Sequence, residues 1–375
     1  MATTYAIPDG RTVFAATTYT GNGSSILSVS NGVSGTSFKP DLVWHRIRSG
    51  TTQGIGVFDS VRGTTGQALD TAATTAEGTW NGANASDYGY VSAFNSDGFS
   101  VNDGAIATTG GYVNYSGRTY VAWQWKAGGT AVSNTSGSIT SSVSVNTTAG
   151  FSVVTYTGNG SSSATVGHGL GAIPSMIISK SKSGTTTSWF TKHTSLASNL
   201  MLTLDTSDGT YNGSLASGGG LGNLTSSTTF GFVNGTSNVS NVNASGSTYV
   251  AYCFAAVAGY SAFGSYVGAG NTGASTPNAN GPFVYTGFRP RFVLIKRASA
   301  AANWVIYDSV RGAYNANLPW LYPNTSDAES STEAIDFLSN GFKIRSESGA
   351  TMYPDGATFI YAAFAENPFK YANAR

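Results

Sequence analysis

Short runs in which apolar and polar residues alternate fill most of the chain. Phe151-Ser-Val-Val-Thr-Tyr-Thr alternates and stops at a Gly-Asn-Gly turn, and Leu200-Met-Leu-Thr-Leu-Asp alternates and stops at Ser207-Asp-Gly. A period of two over four to eight residues is that of a half-buried β-strand. Ser175-Met-Ile-Ile-Ser-Lys and Arg291-Phe-Val-Leu-Ile-Lys are short apolar runs ending in polar turns, the pattern of buried strands. β-Branched and aromatic residues dominate the runs; Gly, Asn, Asp and Ser separate them. Helical signals are scarce. The best begins at Ser326, which forms a capping box with Glu329 and predicts one short helical turn. Ile335-Asp-Phe-Leu then reads as a strand running to Asn340-Gly.

The runs recur in a fixed order. A closing word appears as Thr119-Tyr-Val-Ala-Trp-Gln-Trp, Thr248-Tyr-Val-Ala-Tyr-Cys-Phe and Thr358-Phe-Ile-Tyr-Ala-Ala-Phe. A proline opens an apolar run at Pro40, Pro174 and Pro290, spaced by 134 and 116 residues. A tyrosine opens a Gly/Asn turn at Tyr19, Tyr156 and, more loosely, Tyr266. Repeats of this length are whole folding units, since solenoid turns are much shorter. Several short strands per unit, with a turn every 8–12 residues, predict an all-β chain of three tandem antiparallel β-sandwich, jelly-roll-like domains. Their expected bounds are 1–128, 129–258 and 259–375. Residues 129–150 read either as a Gly/Ser linker or as an edge strand, because Ser138 to Val145 also alternates. The junction at Ala258-Gly-Tyr-Ser is tight and aromatic, so the second and third units should abut. Val43, Ile177 and Val293 should be equivalent buried positions, as should Val121, Val250 and Ile360.

Composition narrows the surface and the partners. Only 10% of the 375 residues are charged, so hydroxyls, amides and backbone must solvate the exterior. With aromatics at 12%, the chain has ample material for packed cores. A formal net charge of +1 and the lack of any basic stripe argue against nucleic acid as a partner. Cys253 is the single cysteine, so neither an intramolecular disulfide nor a thiolate metal site is expected, and it should be a buried core thiol. The first residues show no basic segment followed by an apolar one, and no apolar stretch approaches the ~20 residues of a membrane span. Synthesis in a reducing cytoplasm without a signal peptide, and no membrane insertion, are therefore expected.

The candidate chemistry is thin. Phe58-Asp-Ser-Val-Arg-Gly and Tyr307-Asp-Ser-Val-Arg-Gly share five residues, but a nucleophilic serine needs a general base. The chain has only His45, His168 and His193, none in the third unit. A turn in which Asp pairs with Arg and Gly takes positive φ is the simpler reading. In the middle unit His193 stands roughly at that place. His168, in Gly-His-Gly-Leu-Gly, lacks the Lys-Ser/Thr of a phosphate loop and reads as a turn histidine on its own backbone. Asp327, Glu329, Glu333 and Asp336 cluster only in the third unit, where a solvated loop is expected before a glycosidase pair. Asp205-Thr-Ser-Asp-Gly lacks the terminal Glu of an EF-hand. No catalytic residue, metal or cofactor is assigned. The better contact candidates are aromatics outside the strand runs: Trp80, Tyr88 and Tyr90, and in the third unit Tyr314, Trp320 and Tyr322.

Taken in order, Tyr-Thr-Gly-Asn-Gly, His168-Gly-Leu-Gly-Ala-Ile-Pro, Asp-Ser-Val-Arg-Gly and Tyr361-Ala-Ala-Phe-Ala-Glu-Asn-Pro-Phe resemble a repeat domain of tailed-phage virion proteins. These proteins are often described only as structural or tail-fibre-like and are frequent in marine phages. The resemblance implies a non-enzymatic virion surface protein, tail- or fibre-associated, with capsid decoration as the alternative and a tailspike-like glycan-degrading enzyme as the second. Other virion proteins and host-surface glycan are the implied partners. Edge strands with few protecting charges point to a homotrimer, with Phe369, Tyr371 and Arg375 as an assembly arm.

Overall fold

The computed structural model describes residues 6–49, 55–64, 67–80, 83–105, 112–184, 186–269, 281–316, 319–331, 335–345 and 354–368. The fold is all-β, and every named strand pair is antiparallel. A first set of strands comprises β1 (Phe14–Thr20), β2 (Leu27–Ser30), β3 (Leu42–Ile47), β4 (Ile55–Asp59) and β5 (Leu69–Asp70). It continues with β6 (Thr79–Trp80), β7 (Ala83–Asn84), the helical turn α1 (Ala85–Tyr88), β8 (Tyr90–Asn95), β9 (Gly98–Asn102) and β10 (Thr119–Trp125). The second set holds β11 (Val132–Asn134), β12 (Ser141–Asn146), β13 (Phe151–Thr157), β14 (Thr165–Gly167), β15 (Met176–Ser183) and β16 (Phe190–His193). It ends with β17 (Leu200–Thr203), β18 (Tyr211–Asn212), β19 (Gly220–Leu221), β20 (Thr229–Val233), the turn α2 (Ser240–Asn243) and β21 (Thr248–Phe254). The third set is β22 (Ser261–Val267), β23 (Phe283–Tyr285), β24 (Phe288–Arg297), β25 (Val305–Asp308), β26 (Ile335–Leu338), β27 (Gly341–Ile344) and β28 (Thr358–Pro368).

Connectivity repeats with the words of the sequence. The larger sheets contain the orders β1-β10-β3-β4, β13-β21-β15-β16 and β22-β28-β24-β25. Three smaller sheets follow suit as β2-β9-β8, β14-β20-β19 and β23-β27-β26. In each set the closing strand lies between the opening strand and the proline-led strand. Val43 faces Gln124, Ile177 faces Cys253 and Val293 faces Ala363, which makes the first-named three equivalent; all three are fully buried. The same register aligns Val121, Val250 and Ile360, also buried.

Residues 129–150 resolve towards strand: β12 pairs with β13 over Ser141–Asn146, and β11 adds a further edge. The second and third sets do abut: the rings of Phe254 and Phe364 lie 5.7 Å apart. Residues 326–331 form no helix, because Glu329 is drawn into ion pairs described below. None of the described helices is long and apolar enough to cross a membrane.

The Tyr-Thr-Gly-Asn-Gly turns have a common physical cause. Each tyrosine stacks on the closing strand's aromatic ring, Tyr19 on Tyr120 at 4.9 Å, Tyr156 on Tyr249 at 5.1 Å and Tyr266 on Phe359 at 5.0 Å. A Cβ on Gly21 would sit 2.2 Å from the Tyr115 carbonyl, and one on Gly158 2.2 Å from that of Ala244, so only glycine fits. The next residue is clamped by a buried asparagine. Asn114 Oδ1 accepts from the Asn22 N–H at 3.0 Å, and Asn243 Oδ1 does the same for Asn159.

Candidate functional site at the junction of the strand sets

The closing strands are buried on both faces along nearly their whole length. One face meets the small sheet of its own set; the other meets the neighbouring sets. On the closing strands, Trp125, Phe254 and Phe364 occupy equivalent positions, the last residue of β10 and β21 and the seventh of β28, and their rings meet pairwise. Centroids lie 6.1 Å apart for Trp125–Phe254, 5.5 Å for Trp125–Phe364 and 5.7 Å for Phe254–Phe364, all edge to face. Leu42, Met176 and Phe292 on the proline-led strands form the next ring outward, followed by Trp44, Ile178 and Leu294. Together they enclose an apolar cavity of about 20 Å³, a volume that holds about one water but offers it no polar partner.

Around this centre each set reaches the next in one rotational sense, first to third, third to second, second to first. Three buried cations at equivalent positions end on neighbouring carbonyls. Arg46 donates to the carbonyl of Asp327, Lys180 to that of Thr74 at 2.8 Å and Lys296 to that of Ser207 at 2.9 Å. Burial lowers the ammonium pKa of Lys180 and Lys296 to about 8, so both keep their proton at neutral pH. Trp189 Nε1 donates to the Asp70 carbonyl and Trp304 Nε1 to that of Thr203, each at 2.8 Å. Backbone joins the rims: Glu77 N–H to Lys182 O at 2.9 Å, Glu329 N–H to Arg48 O at 3.1 Å, Thr210 N–H to Ala298 O at 2.9 Å.

The Asp-Ser-Val-Arg-Gly words lie on this seam. Asp59 accepts from the N–H groups of Val61 and Arg62 and pairs with the buried Arg62 guanidinium, which also binds Glu77 at 2.8 Å. Asp308 repeats the arrangement with Arg311 at 2.6 Å, and Arg311 reaches Glu329 at 3.0 Å. The neighbouring set supplies one more donor to each aspartate: Tyr252 OH to Asp59 at 2.8 Å and Trp123 Nε1 to Asp308 at 2.9 Å. Glu329 also takes a two-pronged contact from Arg48 at 2.9 Å. Burial opposes charge on Arg62 and on Asp308. The opposite charge alongside outweighs it, raising the Arg62 pKa and lowering that of Asp308.

The seam between the second and third sets is built differently. His193 holds the aspartate position, and Ala362 stands where the others carry Trp123 or Tyr252. The hydrogen bond is reversed: His193 Nε2 lies 3.1 Å from the Tyr361 carbonyl and donates to it, while Nδ1 accepts from the Ser195 N–H at 3.1 Å. That pairing requires neutral imidazole, and burial lowers the His193 pKa to about 4. His45, wedged against Tyr19 and Tyr120, is lowered by burial to about 3. His168 is the turn histidine expected, with Nδ1 accepting from the Leu170 N–H at 3.2 Å.

The contact candidates scatter. Tyr314 is 87% exposed, whereas Trp320 is 7% exposed and packs on Tyr322 with centroids 4.2 Å apart. Tyr88 stacks on Tyr112 at 5.2 Å, and Tyr90 is half-buried against the core of the first set. Trp80 lies on β6, with no described side chain. Phe369, Tyr371, Arg375 and Glu333 lie outside the described residues. Of the acidic cluster, Glu329 is bound by two arginines, Asp336 pairs with Arg345 at 2.6 Å, and Asp327 takes the Thr325 hydroxyl. Asp205 accepts from the Trp189 N–H, and its burial raises the carboxyl pKa. Among the described residues no group of three His, Cys, Asp or Glu side chains is placed to hold a metal. Cys253 is buried, and burial raises its thiol pKa.

A family model described as a domain of unknown function, DUF7483, matches residues 9–368. No curated protein and no solved structure matches the chain.

Two predictions follow the chemistry of the seams. Replacing Arg62 with Met strands the Asp59 carboxylate, so urea unfolding should show a loss of about 3–5 kcal/mol. Adding Asp59→Asn should restore part of it; strict additivity of the two changes would contradict the coupling. The second concerns acid. His193 and His45 have folded pKa values below the unfolded value near 6.5, so the unfolded chain binds the extra protons. Their contribution is complete above about pH 6.5 and is lost as pH falls towards 4, at roughly 1.4 kcal/mol per unit for each histidine. Thermal melts of His193→Gln should show a shallower slope across that window, and an unchanged slope would remove His193 from the account.

Proposed function

The chain belongs to the DUF7483 family, and we propose that it is a bacteriophage virion surface structural protein, tail- or fibre-associated, that contacts neighbouring virion proteins or host-surface glycan. In this reading each large sheet and its three-stranded partner form one jelly-roll-like sandwich domain, with bounds near 128 and 258. The observation that supports the reading is the cyclic seam: Tyr252 to Asp59, Trp123 to Asp308 and His193 to the Tyr361 carbonyl tie the three strand sets head to tail. Asp59, Asp308 and His193 are held in these joints. The chemistry is that of a rigid block carrying loops outward, and the resemblance of its motif words to virion repeat domains agrees with that. The three strand sets make a threefold set of contacts within one chain, and a homotrimer of whole chains remains part of the proposal. Copies would then meet through other surfaces. Among the described residues Tyr314, at 87% exposure, is the aromatic most available for a glycan or a neighbour.

Negative-stain microscopy of particles decorated with a gold-labelled antibody tests the proposal. Gold at the tail or its fibres is the expected result. Gold confined to the shell would move the protein to capsid decoration, and unlabelled particles that contain the denatured antigen nowhere on a blot would end the virion reading.

A further inference from the structure

The outer edges of the three small sheets are equivalent and are treated in three different ways. Val29, Val166 and Val284 pair with Phe99, Phe230 and Phe342 respectively, so β2, β14 and β23 correspond residue by residue. In the second set the edge of β14 is covered by the chain's own segment 137–141. Ile139 bridges Val166 in parallel and donates its N–H to the Thr165 carbonyl at 2.9 Å. Ser138 Oγ accepts from the Thr165 N–H at 2.9 Å, and Ser141 Oγ donates to the Gly167 carbonyl at 2.8 Å. Ile139 is buried in the core of that set. In the first set the corresponding outward residues are Ser28 and Ser30, whose hydroxyls find partners in Ser100 and the Gly32 N–H.

The third set has neither device. The Pro282 carbonyl accepts from the Ile344 N–H of β27 and the Thr286 N–H donates to the Asn340 carbonyl just before it, so Phe283 and Tyr285 turn their backbone groups to the opposite edge, as Thr165 and Gly167 do. No described residue bridges that edge, and the Tyr285 carbonyl has only a 3.5 Å contact from the Tyr361 hydroxyl. Phe283 is 46% exposed and Tyr285 66%, where the other sets carry Ser or Thr and Gly. An open edge flanked by aromatic rings invites a strand.

We propose that the outer edge of β23 binds an extended segment of another polypeptide by strand addition, and that this segment has the chemistry of 137–141: uncharged, hydroxyl-rich and carrying one aliphatic side chain. The occupant is inferred from the segment already seated on the equivalent edge of β14. Backbone pairing to Phe283 and Tyr285 would supply affinity, the isoleucine-like side chain would lie beside the inward Val284, as Ile139 lies beside Val166, and the two outward rings would cover the hydroxyl-bearing residues on the other face. The inference stands apart from the virion proposal and holds for any partner that presents such a strand.

The test uses the full chain and a fluorescent peptide spanning Thr135–Val143 as the probe. Anisotropy should report micromolar binding, weakened at least tenfold by Phe283→Ser with Tyr285→Ser, the residues of the first set. A peptide N-methylated at its isoleucine should not bind, which keeps the test decisive if the double variant folds poorly. Absence of binding up to millimolar peptide, or binding indifferent to both changes, would overturn the proposal. Concentration-dependent dimerisation without peptide, abolished by the same double substitution, would overturn it too by assigning the edge to a second copy.

Discussion

Three aromatic rings, Trp125, Phe254 and Phe364, meet where the closing strands converge, and the architecture depends on that contact. Each ring sits on a closing strand whose other face already packs on its own small sheet. The junction therefore gives the closing strands two buried faces, and the continuous apolar runs of the closing words become intelligible. Leu42, Met176 and Phe292 complete the layer. Removing any one of the rings would open a cavity that the other two cannot fill, because each is held by its own strand pairing.

A contact of this kind is non-directional and does not by itself fix how three sets are turned about it. Orientation comes from the polar seam. Arg46, Lys180 and Lys296 each end on a carbonyl of the next set, and buried charges are tolerable only where such partners are placed with care. Two seams use an aspartate that receives an indole or phenol donor from its neighbour. The third reverses the polarity, with neutral His193 donating to backbone. The exchange is coherent: once position 362 is alanine, no side-chain donor remains for a carboxylate, and a buried, unpaired aspartate would be costly.

Much of the fold was legible in the sequence. Proline-led and closing words announced strands, and their spacing gave an internal repeat that the register reproduces at Val43, Ile177 and Val293. The Tyr-Thr-Gly-Asn-Gly turns and the Asp-Arg pairing in Asp-Ser-Val-Arg-Gly were also readable, because short-range geometry dictates them. The junction was not. Alternation reports which face of a strand is buried, not against which distant strand. The unbroken apolar run from Tyr249 to Phe254 was the signal that both faces were covered. Tyr252 meeting Asp59 and Trp123 meeting Asp308 join residues more than 180 positions apart, beyond any local pattern. Trp320 likewise reads as a loop aromatic in sequence, but long-range packing buries it.

If the sets share one core, they should unfold together. Differential scanning calorimetry of the full chain tests this most directly. The account predicts a single transition whose calorimetric and van't Hoff enthalpies agree, displaced as a whole to lower temperature by Phe364→Ala. Two or three separable transitions, with one or more untouched by that substitution, would contradict it.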